Sequence, residues 1–491
     1  MPKVLLGQSY FMRLDPKEWA AMKPYPPLGT LYAASYLRDR GYDVQLFDAM
    51  LAGSESEWED ALDRHKPDFA VIYEDGFNYL SKMCLTRMRE AAFKMAEAAG
   101  KRGCPVLVSG SDATDHKEDY FAHSVQAIIV GEGEVTLAET LDHLSGKSPV
   151  ARHAIAGCAW PDSVEVAPRG YLRDLDSIPF PAWDLVDVKE YRRIWMERHG
   201  YYSMNMVTTR GCPYHCNWCA KPIYGQRYNS RSAENVAAEL AWLKKEFAPD
   251  HIWFADDIFG LKPGWIARFA AEVKRLDIRT PFKCLLRADL IKKDVPQALS
   301  DAGCDIVWVG AESGSQKILD AMDKGTTVEQ IYAAAGDLHR VGVKIGFFLQ
   351  FGYPGEGRDD IEATLRMVRE CEPDDIGMSV SYPLPGTKFY ENVRAQLGDK
   401  QNWSDSGDFA MMYTGPYSTE FYRQLHIVLH TEFRALRTVR RLRRGGTREQ
   451  SPLRTARDLL SVAANRATLP GARRKLDRLE GPGPSRKLAM P

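Results

Sequence analysis

Short runs rich in Val, Ile, Leu and Phe recur along the first 145 residues, at 3–9, 42–49, 69–75, 104–110 and 127–131. Between them lie longer stretches such as 28–40 and 80–99, in which apolar residues return at helical spacing. Strands alternating with helices at this interval predict a parallel sheet covered on both faces, a doubly wound Rossmann-like α/β domain over residues 1–145. Ligands of such sheets lie at the carboxyl ends of the strands, here the loops 7–10, 74–78, 109–116 and 131–134. Residues 146–194 read as a connector, since two closely spaced prolines in Leu175-Asp-Ser-Ile-Pro-Phe-Pro-Ala-Trp183 exclude regular helix or central strand. A second α/β series follows over 195–400, with strands near 204–209, 251–255, 282–286, 306–310, 346–351 and 376–382. Six such repeats are too few for a closed eight-fold barrel and predict a partial (β/α)6 barrel. Residues 401–446 read as a C-terminal helical region, in which Phe421, Leu425, Val428, Leu429, Leu436 and Val439 share roughly one face of a helix over 418–444. Beyond Gly445-Gly446, residues 447–491 are rich in Arg, Pro and Gly with little periodicity, and are expected to form a basic tail without regular structure.

Composition changes this picture in two places. The 491 residues carry a net charge of −1, but residues 434–491 hold 16 Lys or Arg against 4 Asp or Glu, a local +12 on an otherwise acidic body. A basic tail offers peripheral contact with an anionic membrane, although a solvated extension is the commoner explanation; nucleic acid is not an expected partner. No apolar run of about 18 residues is present to span a bilayer, and the charged N-terminus lacks a signal peptide's apolar stretch. A cytoplasmic enzyme is the expectation.

The second place is cysteine usage. Nine cysteines are present; Cys84, Cys104, Cys158, Cys284, Cys304 and Cys371 are scattered, as reduced buried thiols would be. The other three fall within eight residues, in Thr209-Arg-Gly-Cys212-Pro-Tyr-His-Cys216-Asn-Trp-Cys219, a C-x3-C-x2-C spacing just after the first barrel strand. Four-iron clusters normally take four thiolates, so three leave one iron open to a further ligand. A tetrahedral zinc site would need a fourth N or S ligand. His215 could supply it in principle, but its place beside Cys216 suits closure with the same sulfurs poorly.

The spacing, with aromatic Trp218 before the third cysteine, is similar to the signature of the radical S-adenosylmethionine (SAM) superfamily, over roughly residues 195–400. The resemblance implies a [4Fe–4S] cluster on Cys212, Cys216 and Cys219, with SAM on the open iron. It also implies SAM contacts at Trp218 near the adenine, at Asp256 in Trp253-Phe-Ala-Asp-Asp257, and at Glu312 in Val309-Gly-Ala-Glu312-Ser-Gly314. Arg287 would meet the SAM carboxylate, and Gly352 and Gly355 in Phe351-Gly-Tyr-Pro-Gly355-Glu would let backbone approach the adenine.

The N-terminal domain lacks G-x-G-x-x-G after its first strand and resembles the cobalamin-binding domain that precedes many radical SAM barrels. The likeness rests on Pro26-Pro-Leu-Gly-Thr-Leu-Tyr-Ala-Ala34, Ser109-Gly-Ser-Asp-Ala113, Val130-Gly-Glu-Gly-Glu134 and the Pro-rich connector. Gly76, Ser109, Gly110, Gly131 and Gly133 are the implied cobalamin-facing positions, small enough for a flat corrin. The D-x-H-x-x-G motif of other cobalamin proteins is absent, and His116 reads as a surface residue rather than a cobalt ligand.

Together these resemblances imply a cobalamin-dependent radical SAM enzyme that modifies an unactivated carbon of a small molecule, by C-methylation. It would draw on an external one-electron reductant of flavodoxin or ferredoxin type. The layout also resembles the anaerobic magnesium-protoporphyrin monomethyl ester cyclase group, which makes oxidative cyclisation or rearrangement the alternative. A non-catalytic cobalamin or redox sensor is the reading from another class.

Overall fold

The computed structural model describes residues 1–83, 85–219, 223–443 and 452–480. Six strands build the N-terminal sheet: β1 (Lys3–Gly7), β2 (Asp43–Leu46), β3 (Phe69–Tyr73), β4 (Val106–Ser109), β5 (Val125–Ile129) and β6 (Cys158–Ala159). Their order is β2-β1-β3-β4-β5-β6, with the first five parallel and β6 antiparallel at the edge. β3 and β4 are buried on both faces, which explains why they read as unbroken apolar runs rather than alternating ones. The chain order reverses between β1 and β3, so the carboxyl ends of these strands open a crevice.

The second sheet takes β7 (Ser203–Met206), β10 (His251–Phe254), β11 (Phe282–Leu286), β12 (Cys304–Glu312), β13 (Lys344–Phe351) and β14 (Asp375–Val380), all parallel, in that spatial order. The two intervening strands, β8 (Thr209–Arg210) and β9 (Asn229–Ser230), pair only with each other. Among the described residues β7 and β14 meet no further strand, so the sheet is a half-barrel. Its helices follow from local chemistry. In Ala233–Phe247, for example, the Ser232 side chain caps the Asn235 N–H, Lys244 and Lys245 lie in the last turn, and Val236, Leu240 and Leu243 face the core. Caps of this kind contribute about 1 kcal/mol. The helix Val188–His199 crosses the expected connector–barrel boundary at 194, with Tyr191 and Trp195 buried.

The tail corrects one expectation. Residues 447–491 were expected to lack regular structure, yet Pro452–Leu479 is a helix lying along the helix Thr419–Arg443. An apolar stripe of Leu469, Ala472, Leu476 and Leu479 packs on the core, with Leu476 only 1% exposed. Arg473 binds Glu432, and Arg358 of the barrel binds Asp477. Pro470 and Gly471 sit inside that stripe and hid its period among the arginines. No helix of the described residues is long and apolar enough to cross a membrane.

Candidate active site

The three cysteines lie in the loop that leaves β8 and returns through β9, at the carboxyl end of the half-barrel. The two-residue ladder between those strands pinches the loop's neck. Gly211 makes the turn into Cys212 with φ +79°, a conformation that side chains disfavour. A Cβ there would also strike the carbonyl of Arg227 and come within 3.0 Å of the Tyr224 carbonyl. Asp256, at the end of β10, holds the other side of the neck. Its carboxylate accepts from the Thr208 and Thr209 N–H groups (2.7 and 2.8 Å) and from the Thr208 hydroxyl (2.7 Å). Burial pushes Asp256 up to about 6 despite these bonds. Its oxygens are committed to the loop base, so the structure gives it a positioning task. Asn217 ties the loop's centre down, donating to the Ala321 carbonyl (2.7 Å) and accepting from the Tyr353 hydroxyl (2.8 Å).

Cations surround the thiols. Arg287 Nη1 stands 3.9 Å from Cys216 Sγ, with its guanidinium over the Tyr214 ring at 3.6 Å and ion-paired to Asp289 at 2.9 Å. Lys324 pairs with Glu312 at 2.7 Å, both side chains buried. Burial lowers the Lys324 pKa, but Glu312 and Cys216 more than offset this and leave it above its ordinary value. Lys82 of the N-terminal domain, bound to Asp257 at 2.7 Å, is likewise held up by Asp257 and Cys219 against the effect of burial. Cations this close favour deprotonated thiolates, while a carboxylate partner holds each in place. No three His, Cys, Asp or Glu side chains among the described residues converge as ligands of one ion would. A cluster whose irons each take a different thiolate does not need that convergence. His215 is exposed on the loop.

Glu312 adopts φ +55° and turns back over Gly310, where a Cβ would lie 2.5 Å from its Oε1 and 2.6 Å from Lys324 Nζ. Trp218 packs beside Ile318, Met322 and Tyr353, and its buried Nε1–H has no acceptor among the described residues. An orphaned donor beside a buried ion pair and an arginine fits a zwitterionic ligand with heterocyclic acceptors, as SAM is. Gly355, with φ +84°, faces open space. Gly352 does not: its N–H is held by Glu356 at 2.7 Å and a Cβ would meet Met411 and Tyr422 at 3.2 Å.

The five glycine and serine positions of the N-terminal domain gather at the carboxyl ends of β3, β4 and β5. There Gly76 and Gly131 face Ile223 of the cysteine loop. A Cβ on Gly76 would meet Ile223 at 2.8 Å, and one on Gly133 would meet Tyr73 Oη at 2.7 Å and Ser109 Oγ at 3.0 Å. Gly110 is packed on Glu74, whereas Gly131 has only the Ile223 carbonyl near it, at 3.7 Å. Tyr224 stacks on Phe77 at 5.3 Å. Small residues keep these strand ends flat, and Ile223 lies directly over Gly76 and Gly131. His116 points away and pairs with Asp112 and Asp119 (3.8 and 3.7 Å). The acids of the same motif do something that sequence reasoning missed. Glu132 and Glu134 both bind Arg210, two residues before Cys212, with Arg210 Nη2 2.6 Å from Glu134 Oε1 and all three side chains buried. Arg210, Glu132 and Glu134 all stand in motifs quoted for other reasons; Lys324 and Lys82 carry no sequence signal.

Residues 206–368 match the family model described as the Radical SAM superfamily. This segment is a radical SAM domain. It is similar to an uncharacterized methyltransferase of Pyrococcus horikoshii, 27% identical over 77% of this chain and 81% of that protein. It is also similar to the anaerobic magnesium-protoporphyrin IX monomethyl ester cyclase of Rubrivivax gelatinosus, 26% identical over 77% of this chain and 67% of that one. The fold is shared with the cobalamin-dependent SAM radical enzyme OxsB (TM-score 0.75, 17% identity, 97% of this chain and 72% of that chain). It is shared too with the radical SAM methyltransferase TsrM of Kitasatospora setae (TM-score 0.63, 18% identity, 80% of this chain and 78% of that chain).

Proposed function

We propose that this protein is a cobalamin-dependent radical SAM enzyme that C-methylates an unactivated carbon of a small molecule. The observation that carries the reading is the lock between the cysteine loop and the glycine-rich strand ends through Arg210, Glu132 and Glu134. It holds the cluster loop against the very edge of the N-terminal sheet where a flat cofactor would lie. The names of the methyltransferase relative and of both structural neighbours support it.

When bound, the cluster, SAM and cobalamin supply reductive cleavage and a transferable methyl group; the protein supplies position and exclusion of water. Cys212, Cys216 and Cys219 would hold the cluster. Arg287 would orient the SAM carboxylate, the Glu312–Lys324 pair and the Trp218 N–H would border the nucleoside, and Gly355 would admit its base. Gly76, Ser109, Gly110, Gly131 and Gly133 would border cobalamin. Asp256, Asn217 and Arg210 keep the loop in place. A flavodoxin- or ferredoxin-type reductant and a cytoplasmic setting complete the proposal, since an open-site cluster needs low-potential electrons and a reducing compartment.

The test is a comparison of the host strain with its deletion strain, both fed methionine bearing a CD3 group. A metabolite that carries the three-deuteron shift and vanishes on deletion supports methylation. The second reading, oxidative cyclisation, draws on the cyclase relative; a metabolite that vanishes without ever carrying the label would establish it instead.

A further inference from the structure

The inner face of the half-barrel is arranged in tiers. The register sets Trp253 opposite Lys283 and Lys283 opposite Ile306; one tier higher, Trp308 lies opposite Leu285 and Gly346; above that, Gly310 lies opposite Phe348. The alternate residues of these strands are buried beneath the helices, whereas this inner set, Gly346 apart, stays partly accessible, and Phe348 is 40% exposed. Trp308 and Phe348 stack at 4.7 Å and 30°, forming a flat aromatic wall. The wall depends on two glycines: a Cβ on Gly346 would overlap the Trp308 ring at 2.6 Å, and one on Gly377 would press Phe348 at 3.3 Å. Tyr25 closes the lower end against Trp253, ring centres 4.7 Å apart.

At that lower end stands an amine. Lys283 Nζ lies 4.6 Å from the Trp253 ring centre and 5.1 Å from that of Tyr25, and among the described residues no carboxylate lies within 4.0 Å of it. Its nearest further charges are Lys23, which opposes its ionisation, and Glu18, which favours it. Burial, with Lys23 adding, pulls the amine down to about 7. A buried cation lacking a counter-ion is costly, and an anion beside it removes that cost. Four residues along β11, about 13 Å, separate Lys283 from Arg287 beside the cysteine loop.

We propose that the lumen is the substrate site, and that it selects a molecule with a flat or otherwise apolar body and one anionic group. The anion sits on Lys283 and the body on Trp308 and Phe348, which points the opposite end of the molecule at the cysteine loop. This names the substrate class for the function proposed above and rests on that reading.

The experiment is equilibrium dialysis of the anaerobically reconstituted full chain against 1-pyrenebutanoic acid and its neutral counterpart 1-pyrenebutanol. Wild type is expected to bind the acid about tenfold more tightly, the value of one charge-assisted contact in a partly buried site. Lys283→Met should bring the acid to parity with the alcohol, Lys283→Arg should keep the preference, and Phe348→Ser should weaken both probes. Equal or absent binding by wild type, or a preference that survives Lys283→Met, overturns the proposal. Dialysis needs no turnover, so its failure and that of the deuterium-labelling experiment are separate results.

Discussion

Arg210→Met isolates the lock between the two domains. The Arg210 guanidinium is buried, Glu132 is 8% exposed and Glu134 2%, and both carboxylates direct oxygens at Arg210. Removing the cation leaves two neighbouring carboxylates with little water to solvate them. Breaking a buried ion pair in this way costs about 3–5 kcal/mol, and the methionine recovers only part of the lost packing. Burial already raises the Glu132 pKa, with Arg210 opposing it. Without Arg210 that opposition is gone, and Glu132 should titrate higher still. A raised acid contributes stability below its unfolded pKa and loses it as pH rises through the folded value. The variant should therefore be close to wild type near pH 4–5 and fall behind it above pH 6. The assay is urea denaturation of the apoprotein across that range, with iron bound per chain measured after reconstitution. Glu132→Gln and Glu134→Gln combined with Arg210→Met should recover most of the loss. A single variant as stable as wild type at pH 8, or a triple variant no better than the single, would refute the reasoning.

Asp256→Asn should remove a pH dependence: with the carboxyl raised to about 6 from 3.8, wild type loses about 2 kcal/mol relative to the amide variant as pH climbs from 4 to 7. Parallel stability–pH curves for the two would contradict this. Gly211→Ala should cost about 1–3 kcal/mol at the loop neck through its left-handed backbone and the carbonyls it meets; the readout is iron per chain, expected to drop well below wild type at equal protein recovery. Leu476→Ala should lower the thermal midpoint and expose the Pro452–Leu479 helix to protease, as the loss of a buried leucine costs about 2–5 kcal/mol. Unchanged proteolysis would mean that this helix is not anchored by its stripe.

The barrel was legible because its strands are short apolar runs set apart by helical stretches. The strands expected near 251–255, 282–286 and 346–351 lie at His251–Phe254, Phe282–Leu286 and Lys344–Phe351. The ladder between β8 and β9 was not legible, since two-residue strands have no period to detect and form only because the loop neck must close. The same holds for Lys324, whose partner Glu312 is twelve residues away across a helix and a turn. For Asp256 the motif was visible but its task was not. Whether a carboxylate faces a ligand or its own loop depends on the hydrogen bonds it finds in the fold. The basic tail misled because net charge was weighed above four apolar residues at helical spacing.

The most direct test of the central claim is anaerobic reconstitution with iron and sulfide, followed by SAM and a strong one-electron reductant, with 5′-deoxyadenosine measured. Wild type should form it, and Cys212→Ala, Cys216→Ala and Cys219→Ala should each form none while remaining folded by circular dichroism. No 5′-deoxyadenosine from wild type, or undiminished formation by any of the three variants, would contradict the account.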